Sequence, residues 1–361
     1  MPGPGSLSPT REEPMIDRRT LLASTAGIAL AGTARAQALA PSKITPELVD
    51  AARKEGKIVF YTSVEIQVGE RIAKAFEARY PGIKVQVERS GSERIYQRLG
   101  QERSSRIHAC DVVSTSDAAH FIIWKRDGWL EPHLPEDVAV HFPADQREPD
   151  GAYAPWRYSL SVMGYNTKLV KPEEAPRSLA DLVDPKWSGK IVKAHPSYSG
   201  TILTATFQIA RDLGWPYLEK LSKQKVMQVQ SATEPPKKLS LGERAIMADG
   251  NDYVLLQLKD QGNPVEIIYA TDGSPLVISP SAVMKNAPNP NAAKLFQNYL
   301  YTAEGQQYLV DVGFMRSFHP QVKPREGMPP LSQIKVMKED AAAVVDQVES
   351  IKERYRKLFG T

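Results

Sequence analysis

The amino-acid sequence predicts an α/β protein of two lobes, each built on a mixed, mostly parallel sheet flanked by helices. Three observations support this fold class: short apolar runs alternate with segments of helical period, a polar loop follows each run, and the alternation returns later in the chain. With 361 residues, of which 42% are hydrophobic and 24% charged, the chain is long enough to bury a core in each lobe. Such a composition is not typical of a disordered chain.

A helix over residues 45–55 is predicted to precede three units in which a strand leads through a polar loop into a helix. Pro46 at the first helical position and Gly56 after the last turn bound that helix. The strands are predicted over residues 57–61, 83–87 and 110–113, and the helices that follow them end before Tyr80, include Leu99 and cover residues 118–125. Three consecutive units of this kind imply parallel strands with helices on both faces.

The second part of the chain repeats the same design after a polar, proline-containing surface crossing over residues 132–150. Strands are predicted over residues 158–165 and 191–192, followed by helices over residues 202–212 and, at the end of the chain, 340–359. The final helix is expected to pack on the second lobe, after a later return of the chain to the first lobe. We expect lobe one to comprise residues 37–155 and 270–320, and lobe two residues 156–269 and 321–361.

Residues 1–36 are predicted to be a cleavable export signal. Arg18-Arg19 precedes an uncharged stretch over residues 21–32, and Ala34-Arg35-Ala36 matches the small-residue pattern that signal peptidase cuts. The paired arginines resemble a twin-arginine signal; an ordinary secretory signal is the alternative and leads to the same compartment. Met15 is a candidate for the true start. No cysteine follows the cleavage position, so we expect no lipid anchor and a periplasmic protein.

The composition argues against several function classes. The 46 Lys and Arg residues against 42 Asp and Glu leave a formal charge of +4, far below the clustered basic excess of nucleic-acid binders. Cys110 is the one cysteine, so neither an internal disulfide nor a cysteine-built zinc site is available. The six histidines form no close-spaced pair. No Gly-x-Ser-x-Gly motif supports an enzyme, and an exported hydrolase stays a remote alternative.

Hydroxyl side chains follow all three predicted strands of the first lobe, at the sheet edge where open α/β sheets bind their ligands. These loops contribute Ser63, Ser90, Ser92, Ser114, Thr115 and Ser116. In the second lobe, a helix whose N-terminus carries partial positive charge opens with Ser197, Tyr198, Ser199, Gly200 and Thr201. Arg94 could add a bidentate contact. The groups predict a site for a small anion (a phosphate ester, phosphonate or carboxylate), although each hydroxyl could instead cap its own helix.

Several short stretches of the mature chain, in a fixed order and spacing, carry a family resemblance. They are residues 58–63, 76–85, 111–113, 164–167, 179–182, 185–191, 292–296 and 304–306. Together they resemble extracellular solute-binding proteins of ATP-driven importers, with the class II periplasmic binding fold and closest to its ferric-ion-binding branch. The resemblance implies two lobes joined by crossing hinge strands, with the chain returning to the first lobe near residues 276–278. It also implies that the lobes close on a ligand and present it to an inner-membrane ABC permease. We further expect a monomer with no cofactor.

The resemblance also raises ferric iron as the alternative ligand. Ferric proteins of this family hold iron through adjacent tyrosines, because phenolates are hard anionic ligands suited to a hard cation. At the matching position Tyr253 is followed by Val254, so one tyrosine of the pair is missing. If iron binds, Glu65, Asp252 and Tyr253 are the candidate ligands. Asp272, just before the return to the first lobe, is a further candidate to accept a hydrogen bond from the ligand.

Overall fold

The computed structural model describes residues 39–360, so the predicted export signal lies outside the described residues. The strands, numbered in chain order, are β1 (Lys57–Thr62), β2 (Lys84–Arg89), β3 (Val112–Ser114), β4 (Ala154–Leu160), β5 (Met163–Asn166), β6 (Ile191–Ala194), β7 (Met227–Val229), β8 (Ile246–Met247), β9 (Val265–Ile268), β10 (Ser274–Val283) and β11 (Val336–Met337). The helices are α1 (Pro46–Glu55), α2 (Ile66–Arg79), α3 (Ser92–Ser104), α4 (Ala118–Arg126), α5 (Glu136–His141), α6 (Gly200–Asp212), α7 (Trp215–Ser222), α8 (Glu234–Ser240), α9 (Asp252–Asp260), α10 (Pro290–Tyr301), α11 (Ala303–Gly313) and α12 (Ala341–Phe359). Short 3₁₀ helices cover Ala144–Gln146, Pro172–Glu174, Leu179–Val183, Pro185–Trp187 and Leu331–Gln333. None of the helices within residues 39–360 is long and apolar enough to cross a lipid bilayer.

The strands form two sheets, which define a first and a second lobe. The first sheet has the order β11-β10-β3-β1-β2, with β4 also paired to β10. In it β1 runs parallel to both β2 and β3, as three consecutive strand-helix units predict. The second sheet has the order β7-β6-β8-β5-β9, with β6 parallel to its two neighbours and β5 antiparallel to its own. The predicted two-lobe α/β architecture is therefore confirmed.

Local sequence sets the ends of the first helix as predicted. Thr45 precedes α1, and its hydroxyl accepts a hydrogen bond from the backbone N–H of Leu48 at 3.2 Å. Pro46 occupies the first turn, where no backbone donor is needed. Gly56 follows the last turn with a φ of 71°, in the left-handed region that glycine adopts without a Cβ clash.

Each sheet buries its own apolar core. In the first lobe Phe60 of β1 packs edge-on against Trp156 of β4 and Phe296 of α10, with ring centroids 5.9 and 5.2 Å apart. Such aromatic pairs each add about 0.5–1.5 kcal/mol beyond the area they bury. In the second lobe Ile191 of β6 and Ile246 of β8 belong to a separate buried cluster. The loops at the carboxyl ends of β1, β2 and β3 are thus supported on a rigid base.

The chain crosses between the lobes where a single strand was predicted over residues 158–165. Instead, β4 pairs with β10 in the first sheet and β5 pairs with β8 and β9 in the second, with a break at Ser161-Val162. The chain returns between β9 and β10. The predicted surface crossing over residues 132–150 also contains the short helix α5.

The C-terminal helix α12 contacts both lobes, whereas the sequence led us to expect packing on the second lobe. Val344 and Ile351 share a buried cluster with Ala119 of α4 in the first lobe and with Leu203 and Phe207 of α6 in the second. The helical period of the sequence sets the length of α12 but does not specify which surfaces its apolar face covers. The exact lobe ranges stay a prediction.

Candidate functional site

The hydroxyls predicted at the carboxyl ends of β1, β2 and β3 converge. The backbone N–H of Ser116 donates to the hydroxyl oxygens of Ser63 at 3.0 Å and Ser92 at 3.3 Å. The hydroxyls of Ser92 and Ser116 are themselves 2.8 Å apart. Because β1 lies between β2 and β3, its loop meets both neighbours at one edge of the sheet.

The other hydroxyls of these loops have different surroundings. Ser114, at the end of β3, accepts a hydrogen bond from the Arg157 guanidinium at 3.2 Å. The hydroxyl of Thr115 lies 3.2 Å from Nδ1 of His120, on the side of α4, and so faces the interior of the first lobe. Ser90 is half-buried, and its backbone N–H donates to the carbonyl of Thr62 at 3.1 Å.

Arg157 of β4 is the functional candidate that the sequence reasoning missed. It is only 2% exposed, lies over the Trp156 ring at 4.9 Å, and its Nε has no hydrogen-bond partner among the described residues. No carboxylate within residues 39–360 forms an ion pair with it. Burial lowers the pKa of Arg157 to about 10, since the charged form is deprived of water. An arginine inside an otherwise buried strand was the available sequence signal.

Tyr253 of α9 lies in the same region. Its hydroxyl accepts a hydrogen bond from the backbone N–H of Glu65 at 3.2 Å, which joins the start of α2 to the start of α9. Burial raises the pKa of Tyr253, and the guanidiniums of Arg157 and Arg89 offset only part of that rise. The phenol is therefore the neutral form near pH 7. Val254 packs in the first-lobe core and offers no ligand atom.

The second lobe meets these loops through the start of α6. Ser199 caps the helix by accepting a hydrogen bond from the backbone N–H of Ile202 at 3.4 Å. A Cβ on Gly200 would lie 2.6 Å from Cβ of Asp117 and 3.1 Å from the carbonyl oxygen of Ser116, so only glycine permits this contact. The first lobe therefore packs closely against the backbone of Gly200.

The remaining predicted residues of this loop differ in exposure. Thr201 is buried, whereas Tyr198 is 39% exposed, with the Arg94 guanidinium 5.7 Å from its ring centroid. Arg94 also bonds to Gln230 of the second lobe. The hydroxyl of Ser197 is buried and has no hydrogen-bond partner among the described residues. It is available to donate to a ligand.

Arg89 and Lys237 each make a polar contact between the lobes. Nη2 of Arg89 donates to the hydroxyls of Ser231 at 2.8 Å and Thr233 at 3.3 Å. Nζ of Lys237 lies 3.3 Å from Oε1 of Glu65, whose other oxygen caps α2. The charges of Arg89 and Arg157 both act on Tyr253, and positive charge gathered in this region favours an anionic ligand.

Two of the predicted carboxylates lie elsewhere. Asp252 is fully buried and forms an ion pair with Arg316, while its other oxygen accepts a hydrogen bond from the Tyr253 N–H at 2.8 Å. Asp272 accepts hydrogen bonds from the backbone N–H groups of Leu179 at 2.9 Å and Ala180 at 3.0 Å, at the start of a 3₁₀ helix. Each carboxylate satisfies donors of the protein itself. Of the three candidate iron ligands, Asp252 has both carboxylate oxygens occupied by donors of the protein, whereas the Tyr253 hydroxyl contacts the backbone of Glu65.

Comparisons with known proteins agree with this architecture. A family model described as "Bacterial extracellular solute-binding protein" matches residues 117–343. Iron uptake protein A1 of Synechocystis sp. is 24% identical over 280 residues, covering 73% of this chain and 76% of that protein. The periplasmic binding protein AfuA from Actinobacillus pleuropneumoniae, with fructose-6-phosphate bound, matches with a TM-score of 0.78 and 22% identity, over 84% of this chain and 99% of that one. Iron-bound HitA from Pseudomonas aeruginosa has a TM-score of 0.72, with the same identity and coverage.

Proposed function

The chain belongs to the bacterial extracellular solute-binding proteins, and from that premise we propose that it captures a small anionic ligand between its lobes in the periplasm. The ligand carries a phosphate ester, phosphonate or carboxylate group, and the closed protein delivers it to an inner-membrane ABC permease. In this proposal the protein acts as a monomer. Binding involves no covalent step, so its mechanism consists of ligand affinity and the balance between open and closed cleft.

The observation that carries this proposal is the uncompensated charge of Arg157. A buried cation without a counter-ion is costly, and an anion bound beside it would recover much of that cost through charge-assisted hydrogen bonds. The Nε of Arg157 has no hydrogen-bond partner among the described residues, and its Nη1 donates to the hydroxyl of Ser114, the last residue of β3, next to the loop that carries Ser116. The guanidinium therefore supplies the charge, and the neighbouring hydroxyls supply further donors.

Selectivity among anions then depends on the surrounding donors. Ser116 lies within hydrogen-bond distance of both Ser63 and Ser92, and the first turn of α6 approaches Ser92 and Ser116 from the second lobe. Backbone N–H groups at a helix start and hydroxyls in such loops suit the tetrahedral oxygens of a phosphate or phosphonate group. The fructose-6-phosphate bound to AfuA makes a phosphate ester a suitable first probe.

Ferric iron is the second candidate, because Iron uptake protein A1 and iron-bound HitA are similar to this chain. Three observations argue against it. Val254 stands where a second tyrosine is needed, Asp252 is held by Arg316, and Tyr253 is buried in its neutral form beside two guanidiniums. Like charges nearby raise the energy of a trivalent cation unless an anion accompanies it.

A ligand panel tests the proposal. Thermal unfolding of the purified protein is measured with fructose 6-phosphate, inorganic phosphate, methylphosphonate, citrate and ferric citrate. We expect saturable stabilisation by one class of anion, since a ligand at about 100 times its Kd adds about 2.7 kcal/mol to the folded state. The same anion should stabilise Tyr253→Phe.

A different response to the panel would contradict the proposal. If ferric citrate alone raises the melting temperature, citrate does not, and Tyr253→Phe abolishes the shift, the anion proposal is wrong and the ferric alternative replaces it. Turnover of a phosphate ester by the protein would contradict the transport role itself.

A further inference from the structure

A cluster of four charged side chains lies directly behind the cleft loops; we call it the junction cluster. It consists of Glu93, Asp117 and His120 of the first lobe and Lys352 of α12. Nε2 of His120 lies 3.0 Å from Glu93 Oε1 and 3.6 Å from Asp117 Oδ2, and Nζ of Lys352 lies 2.6 Å from Glu93 Oε2. All but Lys352 are almost fully buried.

The junction cluster is connected to the cleft through the chain itself. Glu93 follows Ser92, and Asp117 follows Ser116, the two serines whose hydroxyls are 2.8 Å apart. Asp117 also contacts Gly200, the first residue of α6. A displacement of either carboxylate therefore moves a hydroxyl of the proposed anion site.

Helix α12 connects the junction cluster to the second lobe. One turn after Lys352, the hydroxyl of Tyr355 donates to Gln228 of β7 at 2.8 Å, and Arg354 lies 3.5 Å from Glu219 of α7. The apolar face of α12 fills the space between α4 and α6. Lys352 thus extends from a helix that contacts both lobes to a carboxylate behind the first-lobe loops.

We propose that Lys352 is a positioning residue for the ligand cleft: by pairing with Glu93, it holds the Ser92 and Ser116 loops in their binding arrangement and docks α12 against the first lobe. This inference rests on the proposed function, because it assigns Lys352 a role in that same site. It places an affinity-determining residue outside the cleft, close to the end of the chain.

Charge balance explains why Lys352 matters. Burial disfavours the charged form of Glu93, but His120 and Lys352 outweigh it and lower the pKa of Glu93. Burial likewise disfavours the imidazolium of His120, but Asp117 and Glu93 outweigh it and raise the pKa of His120. Without Lys352, the His120 imidazolium alone balances the negative charges of Glu93 and Asp117. The charge balance of the junction cluster then changes with the loss of one proton from His120.

The other ionisable groups around the junction cluster are Tyr96, Glu339 and Glu349. The Tyr96 ring stacks on His120 with centroids 4.7 Å apart, and burial raises the pKa of Tyr96. Burial raises the pKa of Glu339, near Asp117, well above its ordinary value. Glu349, 3.7 Å from Lys352, is 84% exposed and therefore screened by water. His120 is thus the group of the cluster expected to lose its charge as pH rises above the ordinary imidazole range.

The test compares Lys352→Met with Lys352→Arg and with a matched control, Lys357→Met. Lys357 lies on the same helix and pairs with Glu353, but is 73% exposed, so its substitution makes the same charge change without touching the junction cluster. Hydrogen exchange of the ligand-free protein is measured over residues 92–96, 116–120 and 341–359. We expect at least tenfold faster exchange in Lys352→Met, and wild-type exchange in Lys352→Arg and Lys357→Met.

The second readout is the affinity for fructose 6-phosphate, or for whichever panel anion stabilises the wild type most, between pH 6 and 9. We expect Lys352→Met to weaken binding about tenfold at pH 6 and further as pH rises, while the wild type and Lys352→Arg change less. Wild-type exchange and a wild-type pH profile in Lys352→Met would overturn the inference. If no anion binds the wild type, the proposed function fails, yet the exchange experiment still decides whether Lys352 orders the loops.

Discussion

Two buried charged regions lie side by side where the lobes meet, and their charges are balanced differently. In the junction cluster, Glu93 is paired with both His120 and Lys352. In the proposed anion site, the guanidinium of Arg157 donates to a hydroxyl and lies over an aromatic ring, and it has no carboxylate partner among the described residues. A balanced buried cluster stabilises one arrangement of the chain, whereas an unbalanced buried cation is suited to a charged ligand. The four predictions below probe this difference.

Glu93→Leu should have the largest effect on stability, because it removes the carboxylate that lies between the positive charges of His120 and Lys352. Removing one partner from a buried ion pair costs about 3–5 kcal/mol. We expect a loss of that size in the free energy of unfolding, measured by urea denaturation. Glu349→Leu, at the exposed carboxylate beside Lys352, should change it by less than about 0.5 kcal/mol. Equal stabilities of the two variants would contradict a structural role for the junction cluster.

Arg157→Met should not lower the free energy of unfolding of the ligand-free protein, in contrast to Glu93→Leu. The substitution removes a buried charge and leaves no carboxylate unpaired; only the Ser114 hydroxyl loses a donor. We expect the free energy of unfolding to stay unchanged or to rise by up to about 2 kcal/mol, measured by the same denaturation. A loss of more than about 2 kcal/mol would indicate that Arg157 serves the fold, and the contrast with Glu93 would disappear.

The pH dependence of stability distinguishes the two regions further. The folded protein raises the pKa of His120, so its contribution is complete below the unfolded pKa of about 6.5 and is lost as pH rises through the folded pKa. We expect the free energy of unfolding to fall over that interval, by about 1.4 kcal/mol for each unit of the shift. His120→Gln should lack this decline in denaturation curves recorded at several pH values. A decline of wild-type size in His120→Gln would assign it to another group.

Tyr253→Phe should have the smallest effect. The phenol hydroxyl accepts neutral hydrogen bonds from the Glu65 N–H at 3.2 Å and from Nδ2 of Asn251 at 3.5 Å, and such a bond contributes about 0.5–1.5 kcal/mol. We expect anion affinity, measured by calorimetry, to fall no more than about tenfold. A loss beyond a hundredfold would mean that the phenol oxygen contacts the ligand as an essential group, as the ferric alternative requires.

The sequence predicted those features that depend on local pattern. Period and turn residues located the strand-helix units, and a strand's carboxyl end directs its loop to a known edge, so the meeting of Ser63, Ser92 and Ser116 followed from the parallel order. The crossing at Ser161-Val162 was missed because β4 and β5 are both buried strands that follow each other closely, and a continuous strand pattern does not reveal which sheet each part joins.

Charge pairing depended on the tertiary structure instead. Asp252 and Asp272 were candidates by sequence position. In the fold, Asp252 forms an ion pair with Arg316, and Asp272 accepts hydrogen bonds from the backbone of a 3₁₀ helix. Arg157 was missed because the sequence does not show whether an arginine has a carboxylate partner. That depends on the positions that the carboxylates take in the folded protein. The surface covered by α12 is likewise fixed by two helices distant in sequence.

The most direct test of the anion site is a calorimetric titration of fructose 6-phosphate, or of the panel anion that stabilises the wild type most, into wild-type protein, Arg157→Met and Arg157→Lys. Two charge-assisted hydrogen bonds of about 1.5–3 kcal/mol each correspond to at least a hundredfold in Kd. We therefore expect Arg157→Met to weaken binding by that factor or more, and Arg157→Lys, which keeps the charge without the planar fork, to weaken it less. Wild-type affinity in Arg157→Met would contradict the central claim that this buried guanidinium holds the ligand.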